Sequence, residues 1–253
     1  MSFFSLFFRE SDISQERAAA LLAAALENAG YVRFDPFNGV PGRSYPLTAK
    51  LFAASPLNGW VRVLAEAMSE ELLGSVSGSA GLVYARLQGD SGAVEAWRGG
   101  ERLDLQAEFG IMPENVTAIQ PPAPQGGWME SLPDEVKAMQ SHPKQAAKMI
   151  DRLSGSLLAK AGGTDQREQA MALLSASDDA NWASADGKAI LAAFAGLGIQ
   201  NGVSPDFVTL REAYALHARR KRRPGSSLLP GDENTLQAVP DALNYLPIYA
   251  GKG

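Results

Sequence analysis

The 253-residue chain carries 23 lysines and arginines against 28 aspartates and glutamates, a net charge of −5 with a pI near 5.2. It holds no cysteine, which excludes disulfides, thiolate metal sites, iron–sulfur clusters and a cysteine nucleophile. Its 45% hydrophobic and 20% charged residues are the proportions of a globular protein with ample core.

The first apolar run, SFFSLFF, lacks a preceding positive segment and is too short for a signal peptide, so it reads as a first β-strand. No run approaches the ~20 apolar residues that cross a bilayer, and the expected location is the cytoplasm. DISQERAAALLAAALENAG follows as a helix, with Ser14 as cap, Glu16 in the first turn and Gly30 at the C-terminal end. YVRFDPF and Thr48 to Ala54 read as strands. The order then recurs: GWVRVLAE as a strand, SEELLGSVSG as a short helix capped by Ser69, GLVYARL as a strand, and a hairpin turning at Gly99–Gly100. Residues 1–110 are therefore expected to form a mixed or antiparallel sheet built from two strand–helix–strand–strand units. Residues 111–131 hold prolines and a glycine pair, with Trp128 and Met129 able to pin the segment to one half, and read as a linker or strap.

Residues 132–253 read as a mainly helical half, packed on the first or separate from it, giving an α+β fold class. DGKAILAAFAGLG is its buried centre, and SPDFVTLREAYALHARRKRR opens with Ser204 at the cap and Pro205 behind it. Phe207, Leu210, Tyr214 and His217 form one stripe of that helix. From Pro224 onward the chain reads as a surface segment.

Chemistry-bearing residues are few. The two histidines, His142 and His217, cannot make a three-histidine zinc site; either could act as a general base in principle, and His217, on a helix stripe, is the candidate catalytic residue. SASDDANWASADGK lacks the ligand spacing and the glycine of a calcium loop, and GSVSGSAG lacks the features of a phosphate loop. Neither a metal nor another cofactor is expected. The basic run Arg219, Arg220, Lys221, Arg222, Arg223 stands at a helix end, where cations suit the helix dipole and where phosphate could also bind. With Trp60 and Trp97 it makes up the candidate binding residues.

SPLNGWVRVLAE and VYARLQGDSGAVEAWRGGERLD resemble, over residues 55–104, a group of uncharacterised bacterial proteins. These carry an Asn-Gly-Trp strand and a Trp/Tyr-Arg-x-Gly-Glu-x-x-Asp hairpin. The matching residues are Asn58, Gly59, Trp60, Trp97, Arg98, Gly100, Glu101 and Asp104, with Gly99 where an acidic residue is commoner. The resemblance implies a bacterial source and no particular activity. The expectation is a non-enzymatic protein that binds another protein, regulatory or immunity-like. Nucleic-acid binding through 219–223 and a hydrolase or transferase using His217 are the alternatives.

Overall fold

The computed structural model describes residues 2–36, 45–105, 108, 179–225, 227–229 and 231–253. The expected strap, the helices read between residues 133 and 175, His142 and Trp128 all lie outside the described residues.

Strand β1 (Phe3–Arg9) leads into α1 (Gln15–Asn28). Ser14 caps α1 by accepting from the Arg17 N–H, and the helix closes on Gly30 at φ 83°. There Tyr31 N–H donates to Leu26 O and Gly30 N–H to Glu27 O, the paired bonds that a left-handed glycine permits. The short β2 (Val32–Arg33), β3 (Leu47–Ala53) and β4 (Trp60–Ala65) follow. Asn58 and Gly59 turn the chain into β4, both at positive φ, with Leu57 and Trp60 exchanging backbone hydrogen bonds. This is the two-residue hairpin geometry that Asn-Gly favours. Next come α2 (Glu70–Ser77), capped by Ser69, then β5 (Leu82–Gln88), β6 (Ser91–Arg98) and β7 (Glu101–Leu103).

The described C-terminal part contributes α3 (Ala185–Leu197), α4 (Phe207–Arg222), α5 (Asp232–Ala238), a 3₁₀ turn at Ala242–Asn244 and β8 (Leu246–Lys252). Asp206, rather than Ser204, caps α4. Its Oδ1 accepts from the N–H groups of Val208 and Thr209, and its Oδ2 from the Thr209 hydroxyl. The segment after Pro224, expected at the surface, ends in β8, which pairs with β3 from Leu246↔Ala53 to Lys252↔Leu47. No local pattern announces such a pairing, because its partner lies at the other end of the chain.

The result is an α+β fold around an eight-stranded sheet in the order β2-β8-β3-β4-β1-β5-β6-β7, antiparallel at every junction. Its centre, β3-β4-β1-β5, has a simple logic. Each of β1 and β4 is followed by a helix, and the chain then returns on the far side of the other strand. That is the split β-α-β, ferredoxin-like arrangement, here extended by β8 and β2 at one edge and by β6 and β7 at the other.

Side-chain alternation sends two sets of residues to opposite faces. Leu6, Phe8, Val61, Val63, Leu82 and Tyr84 meet Leu22 and Leu26 of α1 and Leu73 and Val76 of α2. On the other face Phe3, Phe7, Val83 and Leu87 meet Ile190 and Phe194 of α3. Beside them Phe52, Leu64 and Tyr249 meet Phe207, Leu210 and Ala213 of α4. Each fully buried Leu or Phe contributes about 1.5–3 kcal/mol of transfer free energy, so both helical layers are integral to the sheet's stability.

Candidate functional site

Strand β4 reads WVRVLA. Alternation places Trp60, Arg62 and Leu64 on the α3/α4 face and Val61, Val63 and Ala65 on the α1/α2 face. Helices cover both faces, so all six residues are buried, Arg62 among them at 8% exposure. A charge taken out of water carries a desolvation penalty of several kcal/mol unless an opposite charge meets it. None of the ion pairs among the described residues involves Arg62.

Neutral groups hold the guanidinium instead. Its Nε donates to Ser5 Oγ at 3.2 Å and its Nη1 to the Ser204 carbonyl at 2.9 Å. Its carbon stands 5.5 Å from the Phe3 ring centroid, a favourable placement for a cation. Burial pulls the Arg62 pKa down to about 10, opposed by Tyr245 and Asp206. The group remains a cation at neutral pH. Asp206 favours that charge from nearby, but its carboxylate is committed to capping α4. Burial, then Asp241, raises the pKa of Tyr245, so its phenol stays neutral.

Arg62 lines a cleft of about 200 Å³ between three connecting segments. The β3–β4 connection supplies Ala54, Ser55, Pro56 and Leu57. The α3–α4 connection supplies residues 199–202 and Ser204, and the 3₁₀ turn supplies Asp241, Asn244 and Tyr245.

Specific hydrogen bonds hold these walls in place. The buried Gln15 donates through Nε2 to Ala53 O at 2.9 Å and to Asn244 O at 2.7 Å, joining two walls. Trp60 Nε1 donates to Leu197 O at 3.2 Å. Asn58 Nδ2 donates to Gln200 Oε1 at 3.0 Å, linking the β3–β4 turn to the α3–α4 connection. A site held by packed elements and supporting hydrogen bonds is preorganised. Chemically, the cleft offers a desolvated cation, neutral polar residues and one acidic residue, Asp241, with no histidine among the described lining residues. That equipment suits binding an anionic group.

A larger hollow of about 420 Å³ opens between α1, α2 and β3. Its cation, Lys252, donates to the Ala29 carbonyl at the end of α1 and lies over Tyr31, so that charge is already used.

The structure scatters the residues singled out from sequence. Trp60 lines the cleft, with its ring 8% exposed and Arg9 5.8 Å from its centroid. Trp97 is also 8% exposed, but on the α1/α2 face, where its Nε1 donates to Glu95 Oε2. Neither ring forms an exposed aromatic patch. His217 is half-buried on α4 with its Nε2 enclosed and without a hydrogen-bond partner among the described residues, and it does not line the cleft. The basic run forms the last turn of α4 and ends it before Pro224. Arg219 pairs with Asp232 at 2.8 Å, while Arg220, Lys221, Arg222 and Arg223 are exposed. No cluster of metal-ligating side chains occurs among the described residues, and no helix among them is long and apolar enough to cross a membrane.

Sequence reading missed Arg62. The available signal was the strand itself. Apolar residues at both parities around one arginine mean that both faces are covered, and that the arginine is therefore buried. Comparisons with protein families, with curated proteins and with solved structures found no match.

Proposed function

We propose that this chain is a non-enzymatic, cytoplasmic binding protein of regulatory or immunity-like type, and that its partner protein inserts a side chain into the Arg62 cleft. The observation that carries this reading is a buried arginine without an ion pair among the described residues, lining a cleft of about 200 Å³. Pockets for drug-sized molecules run about 300–1,000 Å³, so this one suits a side chain better than a nucleotide or an organic cofactor. Arginines in desolvated pockets are frequent hot spots of protein interfaces. Leu57 lines the cleft at 49% exposure, and Leu243 is 39% exposed within the 3₁₀ turn that forms one wall. These supply apolar area for a partner to cover.

The test is affinity capture from a bacterial lysate with and without nuclease. Wild type is compared with Ser55→Trp, a change at an exposed wall position, and with a variant carrying serine at 219–223. The expected result is a defined protein held by wild type and by the serine variant, indifferent to nuclease, and lost from Ser55→Trp. Equal retention by Ser55→Trp would contradict the reading.

A second reading has its own observation, the four exposed cations at the end of α4. If they hold nucleic acid, capture is nuclease-sensitive, absent from the serine variant and steeply weakened by salt.

A further inference from the structure

We propose that the group seated in the Arg62 cleft is a carboxylate. This deepens the protein-binding reading and rests on it for the source of that group, an aspartate or glutamate of the partner.

A guanidinium carries five N–H groups in a planar fork that matches a carboxylate edge. Arg62 spends one on Ser5 Oγ and one on the Ser204 carbonyl, and neither bond uses Nη2. Both acceptors are neutral, so the positive charge is hydrogen-bonded but not balanced. Asp206, the nearby carboxylate that favours it, is engaged by three donors at the start of α4.

Charge decides between anions. A carboxylate brings one negative charge and balances the one buried cation. A phosphate brings up to two, beside Asp241 on the cleft wall and in a chain of net charge −5. Size points the same way, because the cleft is on the scale of one acidic side chain. The walls fit the role as well. Ser55, Asn201 and Asn244 are neutral polar residues at the exposed mouth, and Phe7 and Trp60 are apolar residues at its buried end. An acidic side chain could place its methylenes against the rings and its oxygens on the guanidinium.

Trp60 provides a direct probe. The chain has four tryptophans, so its indole N–H signals form a sparse NMR spectrum. The Trp60 signal can be assigned with Trp60→Phe. The experiment titrates the 15N-labelled full chain, at constant ionic strength, with N-acetylglutamate N-methylamide and with the matching glutamine compound. Acetate, sulfate and inorganic phosphate are titrated separately.

The expected result is a saturable shift of the Trp60 indole signal with the glutamate compound and with acetate. The glutamine compound should give none. Phosphate and sulfate should bind about tenfold more weakly or worse, given the cost of facing like charge. Arg62→Met should abolish the response. Absence of a saturable shift with both carboxylates on wild type would overturn the proposal, whatever the variant does. So would an equal response to glutamine, or tighter binding of phosphate.

The two readings separate cleanly. If Trp60 responds to carboxylates while Ser55→Trp still captures the partner, the carboxylate seat stands and its source is a free small acid. If capture depends on the cleft but Trp60 ignores carboxylates, the partner reading stands and this inference falls.

Discussion

On the α1/α2 face, Leu6, Phe8, Val61, Val63 and Tyr84 meet Leu22, Leu26, Leu73 and Val76 in one continuous apolar cluster. On the α3/α4 face the same strands present two clusters, one under α3 and one under α4. Ser5 and Arg62 lie between the flanking residues of their strands, Phe3 and Phe7 on β1 and Trp60 and Leu64 on β4. Both faces come from one alternating pattern, and both are covered by helices. They differ in how a buried charge is met: on the α1/α2 face Glu95, 7% exposed, pairs with Arg102 at 3.2 Å, whereas Arg62 on the other face has no ion pair among the described residues. Both faces hold the fold, and the proposed binding role rests on the charge of the second that lacks an ion pair among the described residues.

The sharpest way to break this comparison is to remove a core side chain from each face. Phe194 packs edge-on against Phe7 at 5.1 Å, and Phe194→Ala should cost about 3–5 kcal/mol. Leu22→Ala, on the other face and fully buried, should cost about 2–5 kcal/mol. Urea unfolding should show a single transition for both variants. Two separated transitions would mean that the helical layers are independent.

A smaller effect tests how α3 is held. The Gly92 N–H donates to Asp186 Oδ2 at 2.9 Å, and a Cβ at Gly92 would stand 2.7 Å from Arg86 O and 2.8 Å from Ile190 Cδ1. Gly92→Ala should therefore cost about 1–3 kcal/mol through overpacking. A neutral result would show that α3 floats on the sheet.

Alkaline pH should act in one sense through buried tyrosines on both faces, Tyr84 on one and Tyr249 on the other, and in the opposite sense through Arg62. Burial raises the Tyr84 pKa from 10.0 to about 12. Its neutral phenol contributes stability that is complete below pH 10 and lost between pH 10 and 12, because there the unfolded chain has given up a proton that the folded chain keeps. The Arg62 pKa is depressed to about 10, so the penalty of its buried charge is present below pH 10 and relieved above it. Tyr84→Phe should flatten the alkaline fall in the urea midpoint, and Arg62→Met should steepen it.

The smallest effects belong to the end of α4. Serine at the exposed positions Arg220 to Arg223 should change stability by no more than about 0.5 kcal/mol each. Asp232→Asn, which removes the pair with the 39%-exposed Arg219 side chain, should cost less than about 1 kcal/mol. Larger losses in thermal unfolding would make the run structural.

Most of the N-terminal sheet was legible because its signals are local. Ser14 and Ser69 cap their helices, Gly30 closes one, and Gly99–Gly100 turns the β6–β7 hairpin. Strand β8 was not legible. It carries Pro247 opposite Phe52, and proline argues against an interior strand. Among the described residues β2 pairs only with Ala250 and Gly251 and adds a bond to Tyr249 O, so Pro247 has β3 on one side and no described strand on the other, where its missing N–H is tolerated. YVRFDPF shrank to Val32–Arg33, with one further bond from the Phe34 N–H to Tyr249 O. Asp206 displaced Ser204 as the cap of α4 because its carboxylate satisfies two backbone N–H groups at once. Arg62 stayed hidden because arginine is usually exposed, and its burial had to be inferred from apolar neighbours at both parities, Val61 and Val63 on one face and Trp60 and Leu64 on the other.

The most direct measurement is the unfolding free energy of Arg62→Met against wild type, from urea titration at neutral pH. Removing the charge relieves a desolvation cost of several kcal/mol, while it takes one donor from Ser5 Oγ and one from the Ser204 carbonyl, a loss of up to about 1–3 kcal/mol each. The terms nearly offset, so the variant should lie within about 2 kcal/mol of wild type. A loss of about 3–5 kcal/mol, the magnitude for breaking a buried pair, would make Arg62 a structural strut and contradict its assignment as a binding residue.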